Sequence, residues 1–262
     1  SPPSSPVITG FDTDYPAGTA RSWYLITLGS ALPQITSPVV LDTTTQPFSV
    51  AGRGPVVELN GAAVASPNGG LSLLGGSDGS TIRGLAINRF GNDGVKLDRS
   101  GGNRIEANFI GTDPSGTIAR GNKYYQLEIF SNSANNIIVN NILSAGDIGL
   151  MIDDEQNDGN VIQGNKIGTD ITGTIALGNA TSGITLGFGP DNNLIGGLTA
   201  GQANVIAFNG FGISMYNNGT TGNSILGNSI FSNGTLGIDL NEDGVTANDA
   251  GDGDNGPNGY QN

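Results

Sequence analysis

The sequence contains no cysteine and no histidine, and both absences exclude whole kinds of chemistry. Without cysteine there is no thiol nucleophile and no cysteine-ligated metal site. Without histidine there is no Ser-His-Asp triad and no histidine acid/base catalyst. The missing cysteine does not indicate a compartment, because a repeat protein can be held together by stacking instead of disulfides.

Charge is also scarce, and most of it is negative. Only 13% of the 262 residues are charged, with 10 basic and 23 acidic side chains and a net charge of −13. A surplus of this sign argues against nucleic acid and anionic membranes as partners. No run of apolar residues reaches the ~18 that a membrane helix requires, so no membrane insertion is expected. Since 36% of the residues are apolar, the composition does not indicate disorder.

Glycine is abundant, with 44 residues, and asparagine is frequent. Both residues accept the bends of tight turns. Many turns between short apolar segments predict a long succession of short β-strands.

The short segments belong to two repeated units. The first unit has two asparagines five residues apart with alternating apolar positions, and its copies are residues 103–110 (NRIEANFI), 136–143 (NIIVNNIL), 160–167 (NVIQGNKI), 223–230 (NSILGNSI) and, in shorter form, 204–209 (NVIAFN). The second unit alternates strictly, and its copies are residues 94–98 (GVKLD), 126–130 (QLEIF), 149–153 (GLMID), 183–187 (GITLG), 212–216 (GISMY) and 237–241 (GIDLN). Alternation predicts that apolar residues face a core and variable residues face outward.

These units return at the spacing of a β-helix. The coil is about 22 residues long, and two matching insertions, residues 111–122 (GTDPSGTIARGN) and 168–179 (GTDITGTIALGN), account for the longer returns. The sequence therefore predicts an all-β fold, a single right-handed parallel β-helix of roughly nine or ten coils. We expect one domain, with a linker and N-terminal cap in residues 1–35, coils in 36–240 and an acidic segment in 241–262. Trp23 is expected to pack in the cap.

Equivalent residues of successive coils should form ladders. Asparagines at one corner can pass amide hydrogen bonds along the rod. The sequence predicts one corner from Asn103, Asn136, Asn160 and Asn223, and the next from Asn108, Asn141, Asn165, Asn209 and Asn228. An inward ladder is predicted for Ile105, Ile138, Ile162 and Ile225.

Several segments resemble a large bacterial class of right-handed parallel β-helix repeat proteins within the pectate-lyase-like superfamily. The similar stretches are residues 30–42 (SALPQITSPVVLD), 80–91 (STIRGLAINRFG), both insertions and residues 236–240 (LGIDL). The resemblance implies a secreted or cell-surface part of a larger polypeptide with neighbouring domains. That superfamily includes pectate lyases, polygalacturonases, alginate-modifying enzymes and adhesins, so the fold leaves the function open. The histidines of the polygalacturonase and alginate epimerase patterns are missing here.

Aligning the second units predicts two outward columns of side chains. The first column is Lys96, Glu128, Met151, Thr185, Ser214 and Asp239, and the second is Asp98, Phe130, Asp153, Gly187, Tyr216 and Asn241. Carboxylates beside exposed aromatic rings are typical of surfaces that bind sugars. We expect a polysaccharide or cell-surface glycan to contact Lys96, Asp98, Tyr125, Glu128, Phe130, Met151, Asp153 and Tyr216. The alternative is an ordinary solvated sheet face with cross-strand pairs such as Lys96 with Glu128.

Catalytic chemistry has two candidate groups. Asp153 and Asp154 belong to a dense acidic cluster, and close carboxylates raise one another's pKa as acid/base catalysis requires. Lys96 and Arg104 could serve a lyase that acts on uronates, since they lie where seven of the ten basic residues are concentrated. Interleaved carboxylates, such as Asp98 and Glu106, predict local ion pairing instead.

The acidic C-terminal segment is the candidate metal site. Its ligands would be Asp243, Asp249, Asp252 and Asp254, and the expected cofactor is calcium, because alternating carboxylates are typical of calcium loops. The alternative is a solvated acidic tail without a cofactor. We expect a non-catalytic extracellular module that binds glycan or another surface ligand, or displays neighbouring domains. The alternative is a polysaccharide-degrading lyase or glycoside hydrolase.

Overall fold

A computed structural model describes residues 23–47, 49, 52–217 and 220–245 of the chain. All of its regular elements are β-strands. Among the residues described, no helix is long and apolar enough to cross a membrane.

The described residues form 22 short strands. The first eleven, β1 to β11, are Tyr24–Thr27, Val40–Asp42, Val57–Asn60, Leu71–Leu74, Thr81–Arg83, Leu85–Asn88, Val95–Asp98, Arg104–Glu106, Phe109–Ile110, Tyr125–Phe130 and Ile137–Val139. The others, β12 to β22, are Ile142–Leu143, Ile148–Asp153, Val161–Gln163, Lys166–Ile167, Ser182–Gly187, Leu194–Gly196, Val205–Ala207, Phe211–Met215, Ser224–Leu226, Ser229–Phe231 and Ile238–Leu240.

The strands form three parallel sheets, which the chain visits in turn. Sheet A has the order β1-β3-β6-β9-β12-β15-β18-β21, sheet B the order β4-β7-β10-β13-β16-β19-β22, and sheet C the order β2-β5-β8-β11-β14-β17-β20. Each coil passes from sheet A to B to C, so the chain is a right-handed parallel β-helix, as the sequence predicts. Sheet A has eight strands in the described part of the chain, against the nine or ten coils expected.

The predicted isoleucine ladder lies in sheet C and points into the core. Ile105 pairs with Ile138, and Ile138 with Ile162; all three are fully buried. Ile195 continues the ladder to Ile225, which is half-buried in the last coil. The prediction is confirmed, and Ile195 adds a coil that the sequence pattern did not reveal.

The first asparagine ladder runs along the corner before sheet C. The amide Nδ2 of Asn103 donates to Oδ1 of Asn136 at 2.9 Å, and Asn136 donates to Asn160 at 3.0 Å. Asn193, which was not predicted, links Asn160 to Asn223 at 2.9 Å in each bond. Buried amides are thereby satisfied from coil to coil.

The second ladder corrects one prediction. After Asn165 the bond goes to Asn204 at 3.0 Å and then to Asn228 at 2.9 Å, so Asn209 does not belong here. Asn209 lies at a third corner, where it accepts from Asn179 at 2.9 Å. The cause is that Asn204 precedes a strand of sheet A, whereas the other copies of the first unit begin before a strand of sheet C. The shorter copy therefore lies one sheet further along the coil than the sequence alignment implied.

The two insertions have the same conformation and leave sheet A at the same corner, as predicted. In each, a threonine and an alanine form an antiparallel bridge, Thr112 with Ala119 and Thr169 with Ala176. The loops also contact each other, because the amide of Ile171 donates to the carbonyl of Gly116 at 2.9 Å.

The coils begin earlier than the expected boundary at residue 36. Tyr24–Thr27 already pairs with β3 in sheet A. Trp23 is packed against this first coil, since its Nε1 donates to Oε2 of the buried Glu58 at 2.8 Å. The linker, the rest of the cap before residue 23 and the acidic segment beyond residue 245 lie outside the described residues.

Candidate functional site

The outward face of sheet B carries the two predicted columns. Strand pairing places Lys96 beside Glu128, Glu128 beside Met151, and then Thr185, Ser214 and Asp239 in succession. We call these residues the central column. In the flanking column, Phe130 lies between Asp98 and Asp153, and Asp153 lies beside Gly187.

The face is less exposed than the sequence predicts. Glu128 is 6% exposed, Met151 3% and Asp239 2%, and the aromatic rings of Phe130 and Tyr216, expected to be exposed, are half-buried. The reason is that outward side chains of parallel strands stand only ~4.8 Å apart and shield one another. The ring of Tyr216, for example, lies over Gly187, where an added Cβ would be 2.3 Å from it.

Lys96 is at the centre of the charged part of this face. Its Nζ lies 2.6 Å from Oε2 of Glu128 and 4.3 Å from the ring centroid of Phe130. The expected cross-strand pair therefore exists, and a cation–π contact accompanies it.

Two carboxyl groups near this pair have raised pKa values. The pKa of Asp93 is about 7, because the group is buried and because the negative charge of Glu128 is close. The pKa of Asp153 is about 6, again from burial first, then from Glu128 and Asp154. Lys96 opposes both shifts and does not cancel them. Near neutral pH this face therefore holds carboxyl groups that can both give and take a proton.

The tyrosines of the face respond to the same charges. Burial and the carboxylate of Asp153 raise the pKa of Tyr216 to about 12. The pKa of Tyr125 is raised by burial and then by Glu128 and Asp93. Both phenols therefore stay protonated at neutral pH and can donate hydrogen bonds.

Some polar atoms of the face lack a partner inside the described protein. Oδ1 of Asp153 and Oδ1 of Asp239 are buried and accept no hydrogen bond. A buried acceptor that is left unsatisfied costs on the order of 1–3 kcal/mol.

The structure brings together most of the predicted site and separates one residue from it. Asp154 follows Asp153 with a left-handed φ of 88°. Asp98 is held by Arg99, whose Nε lies 3.0 Å from Oδ1. Arg104 is on sheet C and donates to Glu106 at 2.8 Å, so it does not share a face with Lys96. The expected local ion pairing accounts for Arg104.

Two residues of the face were not selected from the sequence. Asp93, whose Oδ1 accepts from the amide of Tyr125 at 3.3 Å, lies in the turn before β7. In the sequence, the available indication was that Asp93 stands directly before a second unit, within Asn-Asp-Gly. Phe188 is 53% exposed and meets Tyr216 edge to face, with ring centroids 5.2 Å apart. It lies beyond the repeated unit, so the repeat gave no signal for it.

The predicted calcium site falls mostly outside the described residues, where Asp249, Asp252 and Asp254 lie. Asp243 is described, and its Oδ2 accepts from Asn241 at 3.1 Å. Within the described ranges there is no group of three or more carboxylates arranged to hold a metal ion.

No protein-family model matches this sequence, and a search of curated proteins finds no significant match. The class that the structure defines is the parallel β-helix, with all-parallel sheets stacked in rungs.

Proposed function

We propose that this chain is a non-catalytic secreted or cell-surface module that binds glycan along the outward face of sheet B. The observation that carries the proposal is the continuity of the face. Lys96, Glu128, Phe130 and Asp153 occupy adjacent rungs of two neighbouring columns. Rungs ~4.8 Å apart approximate the length of one pyranose unit, so a polysaccharide aligned with the rod would meet one rung per sugar.

The chemistry of the face suits sugar hydroxyl and C–H groups. The half-buried carboxyl group of Asp153 can accept hydrogen bonds from sugar hydroxyl groups. The rings of Tyr216 and Phe188 offer apolar surface, and aromatic faces pack on the C–H groups of sugars. These are the two kinds of contact that a sugar-binding cleft combines.

Charge favours a neutral glycan on this face. Asp93, Glu128 and Asp153 surround the single amine of Lys96, and Glu128 already pairs with that amine. An added uronate carboxylate would meet net negative potential there and bind less well.

The wider setting of the proposal follows the family resemblance. We infer a bacterial protein of the pectate-lyase-like superfamily in which this rod is linked to neighbouring domains. Calcium bound by Asp243, Asp249, Asp252 and Asp254 would order the C-terminal segment.

A second candidate function is cleavage of a polysaccharide by acid/base catalysis, either as a glycoside hydrolase or as a lyase. The observation in its favour is the pair of raised pKa values, about 7 for Asp93 and about 6 for Asp153. A general acid works best when its pKa lies near the working pH. Asp93 would be the proton donor and Asp153 the ionised partner.

A panel of polysaccharides, scored for retention and for new reducing or unsaturated ends, tests both functions. Retention without products supports the binding module, and products support the enzyme. Tyr216→Ala should weaken retention of a neutral glycan at least tenfold. Leu198→Ser, which changes an 85%-exposed residue outside the face, is the matched control. Absence of both retention and products across the panel would contradict both functions.

A further inference from the structure

A second cleft lies at the corner where sheet C leads into sheet A. Its volume is about 560 Å³, within the range of small-ligand sites, roughly 300–1,000 Å³. We call it the corner cleft. The side chains that matter for its chemistry are Arg83, Glu106, Phe109, Ile142, Lys166 and Ile171.

One wall of the corner cleft is apolar. Phe109 and Ile142 are neighbours in the outward column of sheet A, and Ile171 of the second insertion packs against them. The matching insertions therefore build this wall, because each folds back over the outer face of sheet A. An added Cβ at Gly116 would lie 2.8 Å from Phe109 and 3.0 Å from Ile142.

Arg83 supplies a cation with unused hydrogen-bonding capacity. Its Nη1 lies 3.7 Å from Oδ2 of Asp42, and its Nε lies 3.6 Å from Oε2 of Glu106. The same Oε2 accepts a shorter bond, 2.8 Å, from Nε of Arg104. Nε of Arg83 is buried and makes no hydrogen bond. The Arg83 side chain as a whole is 42% exposed, so its other guanidinium nitrogens can reach an acidic ligand in the cleft.

Lys166 supplies a second cation farther along the rod. Within the described part of the chain, the five ion pairs involve Arg83, Lys96, Arg99 and Arg104, and none involves Lys166. Phe109, Ile142 and Lys166 follow one another in sheet A, and Arg83 is one rung before Glu106. Arg83 and Lys166 are thus three rungs apart, ~14 Å along the axis.

The charge of the corner cleft is opposite to that of the whole chain. Its charged lining residues are Arg83, Lys166 and Glu106. With their ion-pair partners Asp42 and Arg104 they form a group of three cations and two anions, a net charge of +1 in a chain of net −13. The carboxyl pKa of Glu106 is lowered, first by its hydrogen bond from Arg104, so it stays ionised as an acceptor. Such a local reversal of sign selects an anionic ligand.

We propose that the corner cleft binds an acidic oligosaccharide, whose carboxylate or sulfate groups contact Arg83 at one end and Lys166 at the other. The apolar wall packs on sugar C–H groups, and the carboxylate of Glu106 accepts hydrogen bonds from sugar hydroxyl groups. A span of three rungs fits about three sugar units. The proposal is independent of the function proposed for sheet B, which concerns another face and a neutral glycan.

Calorimetric titration of the full chain tests the proposal with three probes: a carboxylated trisaccharide (trigalacturonate), a sulfated trisaccharide and a neutral trisaccharide (maltotriose). Lys166→Gln should weaken binding of the acidic probe roughly tenfold, and Lys166→Arg should restore most of it. Arg83→Gln should act in the same direction. Arg89→Gln removes the same charge at an exposed site outside the cleft and is the matched control.

Each outcome decides the proposal. Binding of either acidic probe that is lost in Lys166→Gln and kept in Arg89→Gln supports it, and the two acidic probes distinguish carboxylate from sulfate. Equal losses in Lys166→Gln and Arg89→Gln would mean general electrostatic attraction and would overturn it. Preference for the neutral probe, or no binding of either acidic probe, would also overturn it. Tyr216→Ala, which affects only the sheet B face, should leave acidic binding unchanged, and unchanged melting midpoints show that the variants fold.

Discussion

Replacement of Asn136 by alanine would test whether the asparagine ladders hold the coils together. Asn136 is fully buried in the middle of the first ladder. Its Nδ2 donates to the carbonyl of Ser133 at 2.8 Å and to Oδ1 of Asn160 at 3.0 Å. Its Oδ1 accepts at 2.9 Å from both the backbone amide and the Nδ2 of Asn103. The side chain therefore takes part in four hydrogen bonds.

The expected cost follows from the groups that the substitution leaves without a partner. The backbone amide of Asn103 loses its acceptor and the Ser133 carbonyl loses its donor, whereas Nδ2 of Asn103 keeps its bond to the carbonyl of Ser100 at 2.9 Å. Oδ1 of Asn160 keeps one bond, from the backbone amide of Asn136 at 2.8 Å. With ~1–3 kcal/mol for each orphaned buried group, two such groups amount to roughly 2–6 kcal/mol. That is a large fraction of the stability of an ordinary domain.

Urea unfolding followed by circular dichroism measures this cost. Asn68→Ala is the matched control, because Asn68 is exposed and its single bond, to Ala65 at 2.6 Å, can be replaced by water. Asn136→Ala should shift the unfolding midpoint strongly and Asn68→Ala only slightly. If Asn136→Ala costs less than about 1 kcal/mol, the ladder does not stabilise the stack as argued.

Three further predictions concern the core, the sheet B face and the C-terminal segment. Ile138→Ala should lower the free energy of unfolding by roughly 2–5 kcal/mol through the cavity it leaves, measured in the same urea assay; a change below that range would contradict close packing. Asp153 has a folded pKa of about 6, above its ordinary value of 3.8, so the folded state takes up its proton first as pH falls. Its ionisation therefore destabilises the fold as pH rises from about 4 to 7. Asp153→Asn should flatten the dependence of the melting midpoint on pH over this range. An unaltered pH profile would show that Asp153 is not the group responsible. Calcium should raise the melting midpoint, chelator should reverse the rise, and Asp243→Asn should reduce it; equal midpoints with and without calcium would contradict the site.

The fold could be predicted from the sequence because a solenoid repeats local rules. Each coil needs an inward apolar residue and a corner asparagine, so Ile105, Ile138 and Ile162 reveal their register by recurrence alone. The shared conformation of the two insertions could also be predicted, since the same glycine and aspartate positions impose the same turns. The assignment failed at Asn209, because an Asn-x-x-x-x-Asn spacing occurs at two different corners and only the strand pairing distinguishes them.

The members of the sheet B face were largely determined by the sequence, because alternation fixes which residues point outward. The tertiary structure decided their state. Burial depends on how neighbouring rungs shield each other, so the raised pKa of Asp93 could not be foreseen. A raised pKa was expected for Asp153 from its neighbour Asp154, but its largest cause is burial, which the sequence did not reveal. The corner cleft depended on tertiary structure entirely. Arg83 and Lys166 are 83 positions apart in the sequence, and only the stacking of successive coils, with the insertions folded over sheet A, places both in one cleft.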